Sequence, residues 1–153
     1  MAKFRANLDA SLFELEQLSE DEKWQIIEPA AEVAREAYSA AAKSAFIQHT
    51  GALAASPAVE QKNKNGQVFA RIALKGKHPG TGTGVRMKKD KNGKRRKSGR
   101  YSGTNAEVGY YLNFGTFRIA ATHWFDNTSD KVEPEVQQKL EDGWNAYLDS
   151  QGV

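Results

Sequence analysis

Cysteine is missing from this chain of 153 residues. Disulfides and thiolate metal centres are therefore excluded, and the redox compartment is left open. Histidine is nearly missing too. His49, His78 and His123 are the only three, and none stands three or four residues from another, so no helical metal-binding pair exists. No Ser/His/Asp spacing is diagnostic of a nucleophilic site. No apolar run approaches the roughly 20 residues that a bilayer span needs. The opening "MAKFRANLDASLFELEQ" has no signal-peptide apolar segment and carries acids early. A soluble protein made without a classical export signal is expected. The one glycine-rich stretch, "GTGTG" at 80–84, is followed by Val85-Arg86. It lacks the Gly-Lys-Ser/Thr ending of a phosphate loop and the helix that a dinucleotide fingerprint opens. The expectation is no catalytic residue, no metal, no cofactor and no membrane.

What is present is unevenly placed. The length fits one domain over 1–153. The net charge of +3 conceals a segregation: residues 76–103 hold ten Lys/Arg against the single acid Asp90, a local +9 that leaves −6 for the remainder. The same segment holds seven of the thirteen glycines and almost no large apolar side chain. It reads as an extended basic loop inserted in an acidic body. Its cations Arg86, Lys88, Lys89, Lys91, Lys94, Arg95, Arg96, Lys97 and Arg100 suit either an acidic protein surface or nucleic-acid phosphates. Only Tyr101 is available to stack on a base, which disfavours sequence-specific single-strand binding.

Periodicity supplies the elements. "KFRANL" (3–8) alternates as a short strand does, and 10–18 has helical leucine spacing. Ser19 and Glu22 form a capping-box signature, and Trp24, Ile27, Ala31, Ala34, Tyr38, Ala41 and Ala45 then step along one helical face. Pro29 should kink or restart that helix, and Gly51 is a natural stop. Two alternating runs, 56–63 and 67–74, flank Lys64-Asn65-Gly66, the strongest short hairpin signal. From Phe125 to Leu148 helical spacing returns, with Pro134 inside it. The fold class expected is α+β: a small, mostly antiparallel sheet packed against a long N-terminal helix and a C-terminal helix.

Between basic segment and last helix, six aromatics fall within sixteen residues: Tyr110, Tyr111, Phe114, Phe117, Trp124 and Phe125. Tyr110, Leu112 and Phe114 read as one face of a strand ending at a Gly115-Thr116 turn, with Trp124-Phe125 stapling the last helix. Ordinary core accounts for part of this. Tyr111 and Phe117 are left over, and surplus aromatics at a rigid turn suit a protein–protein anchor. The expected contact surface is Tyr110, Tyr111, Phe114, Gly115, Thr116, Phe117, Trp124 and Phe125.

In order, Thr50-Gly51-Ala52-Leu53, then Tyr110 to Thr116 ("YYLNFGT"), then Trp124-Phe125 and a final helix resemble the phage head–tail joining and tail-completion (neck, minor virion) proteins. The likeness spans most of 20–150. Ala52 stands where that family often has a basic residue, Thr122-His123 where it often has proline, and the long basic insert is unusual. The resemblance implies a non-enzymatic virion protein, made in the host cytoplasm, that forms a ring, commonly a hexamer, at the head–tail junction. Connector and tail-tube or tail-terminator proteins would be its neighbours. The basic loop is then expected to dock mainly on protein, with at most weak contact to passing double-stranded DNA. The alternatives are a stand-alone double-stranded nucleic-acid-binding protein and a small ribonuclease-type toxin.

Overall fold

The computed structural model describes residues 17–45, 51–78, 85–100 and 103–152, and for 85–88 and 97–100 the backbone alone. The strand expected at 3–8, His49, Thr50 and Tyr101 lie outside the described residues. So does the short helix at 10–18, except for Gln17 and Leu18, which form a turn into the first long helix.

That helix, α1, runs Glu20–Ala45. Its capping box closes as the sequence suggests: the Ser19 N–H donates to Glu22 at 2.8 Å and the Glu22 N–H to the Ser19 hydroxyl at 3.2 Å. The Ser19 N–H holds the Glu22 carboxyl below its usual range. Pro29 sits inside the helix without ending it. The buried stripe is Ile26, Ala30, Ala31, Ala34, Tyr38 and Ala42, so of the expected face only Ala31, Ala34 and Tyr38 belong to it; Trp24, Ile27 and Ala41 are half-buried and Ala45 is exposed. After the single turn α2 (Ala52–Ala55), which buries Leu53, strands β1 (Pro57–Lys64) and β2 (Gln67–Leu74) pair antiparallel. Their two-residue turn has Asn65 at φ 53° and Gly66 at φ 75°, the paired positive φ values that match strand twist. Val59 stands opposite Ile72, which is buried in the core. On the other face Glu60 meets Lys75, Lys62 and Arg71, and the Lys75 ammonium holds the Glu60 carboxyl low.

The last helix, Trp124–Ser150, antiparallel to α1, buries Trp124, Val132, Val136, Leu140 and Trp144. Three contacts fix the pairing: Tyr147 with Glu22, Gly143 with Ile26, and Tyr38 with Ser129. A Cβ on Gly143 would stand 3.1 Å from the Ile26 carbonyl, so glycine there and the alanines of α1 allow the helices to approach closely. The architecture is thus α+β, an antiparallel hairpin packed against two long helices.

Two expectations need correction. The segment 76–103 is not simply a loop: β3 (Val85–Lys89) and β4 (Arg95–Arg100) form a second antiparallel hairpin, separate from the first. And Tyr110, Leu112 and Phe114 do not share a strand face. They lie on a helix, α3 (Asn105–Phe114), so the long C-terminal helix is α4. Thr104 and Glu107 close a capping box that starts α3. A reciprocal box satisfies two orphan backbone donors at once, which favours helix over the strand that these aromatics suggest.

Candidate functional site

Helix α3 buries one side and carries exposed aromatic rings on the other. Its inner side carries Gly109, Leu112 and Asn113. Gly109 lets α3 sit close: a Cβ there would fall 2.4 Å from Leu74, and the Gly109 carbonyl accepts the Trp124 indole N–H at 3.1 Å. The outer side carries Tyr110 and Phe114, rings 4.7 Å apart, with Tyr111 edge-on at 6.0 Å from Tyr110. Tyr110, Phe114 and Tyr111 are 60 %, 54 % and 42 % exposed, and beyond the helix end Phe117 is 92 % and Ile119 42 % exposed. Every large exposed apolar side chain among the described residues falls between Tyr110 and Ile119.

This exposed stretch, Tyr110 to Ile119, forms a ledge that is held by backbone closure. Gly115 has φ 79° and ψ 172°, a conformation open only to glycine, and turns the chain back over the end of α3. The last carbonyls of α3 are then met in order: Gly115 N–H bonds Tyr111 O, Thr122 N–H bonds Leu112 O, and His123 N–H bonds Asn113 O, at 2.8, 3.0 and 3.0 Å. Thr116 closes the tip, its N–H to Ile119 O at 2.8 Å and its hydroxyl accepting from Arg118 and Ile119 N–H at 3.2 Å. Arg118 lies over the Phe117 ring at 4.9 Å.

Asn113, 3 % exposed, locks this loop to α4. Residue His123 occupies the helix N-cap in a left-handed conformation and gives no side-chain cap. The Asn113 side-chain Oδ1 accepts from the Phe125 and Asp126 N–H groups at 3.0 and 3.4 Å instead, and its Nδ2 donates to the Asp126 carboxylate at 3.0 Å. Asn113→Ala should therefore cost about 2 kcal/mol, the upper range for a lost helix cap. Urea unfolding of the purified variant checks this, and a cost under about 0.5 kcal/mol would mean that water caps α4 equally well.

Of the eight residues expected at a contact surface, the structure exposes Tyr110, Tyr111, Phe114 and Phe117; Tyr110 contacts the rings of Tyr111 and Phe114, Phe117 stands out beyond the helix end, and Gly115 and Thr116 shape the turn. Trp124 and Phe125 are corrections. Trp124 is 5 % exposed and joins the core, and Phe125, half-buried, stacks on Tyr38 at 4.3 Å. Apolar contact below the α3–α4 joint outcompetes exposure for both. Ile119 and Asn113 are additions that the sequence does not single out. Their roles emerge only when the chain folds back after Gly115, and no local pattern marks them beforehand.

The basic residues form a different feature. Lys89, Lys91, Lys94, Arg95 and Arg96 are exposed on the second hairpin, and Arg86, Lys88, Lys97 and Arg100 occupy its strands. Asp90 builds the turn: its carboxylate accepts the Asn92 and Lys94 N–H groups at 2.9 and 3.0 Å and pairs with Arg96 at 2.9 Å. Gly93 at φ 76° completes the tight hairpin loop. The neck is clasped where Asn105 N–H bonds Gly76 O and His78 N–H bonds Gly103 O, at 2.9 and 3.0 Å. Buried Asn105 adds bonds to the His78 ring and the Lys75 carbonyl, both at 2.8 Å.

No family model, curated protein or solved structure matches the chain. Among the described residues, no three of His, Asp or Glu gather to hold a metal ion, and no helix is long and apolar enough to cross a membrane.

Proposed function

We propose that this protein is a non-enzymatic phage virion component that assembles into a ring at the head–tail junction. The observation that carries the reading is the confinement of exposed large apolar side chains to Tyr110–Ile119. Exposed large apolar side chains gathered in one stretch of chain suit an interaction surface, and tyrosine is enriched among the residues that dominate interface energy. A head-to-tail contact between identical subunits closes into a ring when one patch meets a different complementary surface on the next copy. The ledge supplies one such half-contact, held rigid by the Gly115 closure. The resemblance of the "YYLNFGT" region to head–tail joining proteins supports a place for that ring at the neck of a tailed phage, next to connector and tail-tube or tail-terminator proteins.

Native mass spectrometry, alone and with a connector or tail-tube partner, tests it. The parent should form a closed oligomer. Phe114→Ala and Phe117→Ala should each weaken that oligomer at least tenfold, which is about 1.4 kcal/mol. Both positions are exposed, so folding stability should move by no more than about 0.5 kcal/mol. Unaltered assembly with a lowered melting temperature would place both rings in the monomer's own packing and sink the proposal.

A further inference from the structure

The β3–β4 hairpin carries a second surface, and its partner follows from register. Lys88 stands opposite Arg96 and Lys89 opposite Arg95. Like charges directly across a ladder are destabilising, so two successive rungs work against the hairpin that contains them. Successive rungs face opposite sides of a strand, so the ribbon is cationic on both sides. Lys91 and Lys94 extend the charge over the tip. The segment's single acid, Asp90, offsets only one of these charges: its carboxylate accepts from two backbone N–H groups and pairs with Arg96. The neck clasp at Gly76, His78, Gly103 and Asn105 fixes where the ribbon leaves the acidic body.

We propose that the β3–β4 ribbon is a phosphate-contacting finger for double-stranded DNA, entering the major groove between its two backbones. An acidic helix of a neighbouring protein would neutralise one side of the ribbon and leave the other unmatched. A B-form major groove has phosphates along both walls and admits a two-stranded ribbon. With no stacking ring in the described part of the ribbon, the contact is to phosphate and reads no sequence. Binding of that type permits sliding along the duplex, so it is compatible with a DNA conduit. The inference rests on the ribbon alone and stands or falls independently of the ring reading.

The test is fluorescence anisotropy of the full-length protein with a labelled mixed-sequence DNA duplex of about 24 base pairs, across roughly 50 to 200 mM NaCl. Parent protein should bind in the micromolar range at low salt and weaken by about 10²- to 10³-fold across the series, as about five phosphate contacts require. A variant with Lys89, Lys91, Lys94 and Arg95 changed to Gln, sparing the Arg96–Asp90 pair, should lose most of that affinity and most of the salt slope. The charge-preserving set Lys89→Arg, Lys91→Arg and Lys94→Arg should keep both. Unchanged melting temperature in the variants separates lost binding from lost folding. Absence of parent binding at the lowest salt would overturn the proposal, as would a salt slope that the Gln variant retains. Equal affinity for an RNA duplex of the same sequence would remove groove entry, since the A-form major groove is too narrow. Displacement of the DNA by polyglutamate at equal charge concentration would assign the finger to an acidic protein instead.

Discussion

Tyr38→Ala should cost about 3–5 kcal/mol of folding stability, the range for removing a fully buried aromatic ring. Tyr38 is 0 % exposed in the α1–α4 seam, opposite the first turns of α4. Its buried neighbours one turn away on α1, Ala34 and Ala42, are too small to fill the space it would leave. Phe125 loses its stacking partner, and Ser129 loses the tyrosine hydroxyl while keeping its own bond to the Phe125 carbonyl. With domains of this kind stable by only about 5–15 kcal/mol, the variant should unfold at much lower urea. Tyr38→Phe isolates the hydroxyl and should cost about 1 kcal/mol. It also has a pH signature. Burial pushes the Tyr38 phenol up to about 12, partly opposed by the Ser129 bond. A folded-state value above the unfolded one favours the protonated folded form. That contribution is whole below about pH 10, the unfolded value, and declines as pH rises toward about 12. Parent protein should therefore lose stability across that interval faster than Tyr38→Phe. Parallel alkaline profiles would show that the phenol ionises without resistance from the core.

The long helices are legible in the sequence because their burial is periodic over many turns, and the first hairpin because Lys64-Asn65-Gly66 strongly favours one backbone solution. Lys91-Asn92-Gly93 carries the same Asn-Gly pair. There the flanking residues are cations rather than alternating apolar residues, so charge conceals the strand pattern. Local turn chemistry, with Asp90 as its organiser, closes that ladder at its described end. At α3 the competing signals are reversed. Tyr110, Tyr111 and Phe114 favour strand by propensity, whereas Thr104 and Glu107 mark a helix start. The cap wins because it satisfies specific backbone groups, and because the inner side, with Gly109, must sit close against Leu74 and Trp124. The ledge is legible as an excess of aromatics. Its membership is not, since the division between Phe117 outside and Phe125 inside depends on where the chain turns back.

That turn sets the second large expected effect, from Gly115→Ala. Two costs coincide at this position. An L side chain at φ 79° and ψ 172° is strained by about 1–3 kcal/mol. A Cβ there would also stand 2.8 Å from both Ala121 N and Ile119 O and 3.1 Å from Ala121 Cα. These are backbone atoms, so no rotamer change relieves the overlap. The returning chain must move outward, and with it go the Thr116–Ile119 bond and the caps that Thr122 and His123 place on α3. A combined cost of about 3–4 kcal/mol is expected, adding overpacking to strain, or a melting temperature lower by about 10 °C for a domain of this size. Gly66→Ala is the internal control. It has nearly the same φ, 75°, but no atom lies within 4 Å of where its Cβ would stand, so it should cost only the conformational share of about 1–2 kcal/mol. The two variants should also part in assembly. Gly66→Ala leaves the ledge untouched and should assemble as the parent does. Gly115→Ala shifts the Phe117–Ile119 tip relative to α3, and should lose the oligomer even well below its melting temperature. If Gly115→Ala proves no costlier than Gly66→Ala, the close backbone return after α3 is not what holds the ledge in place.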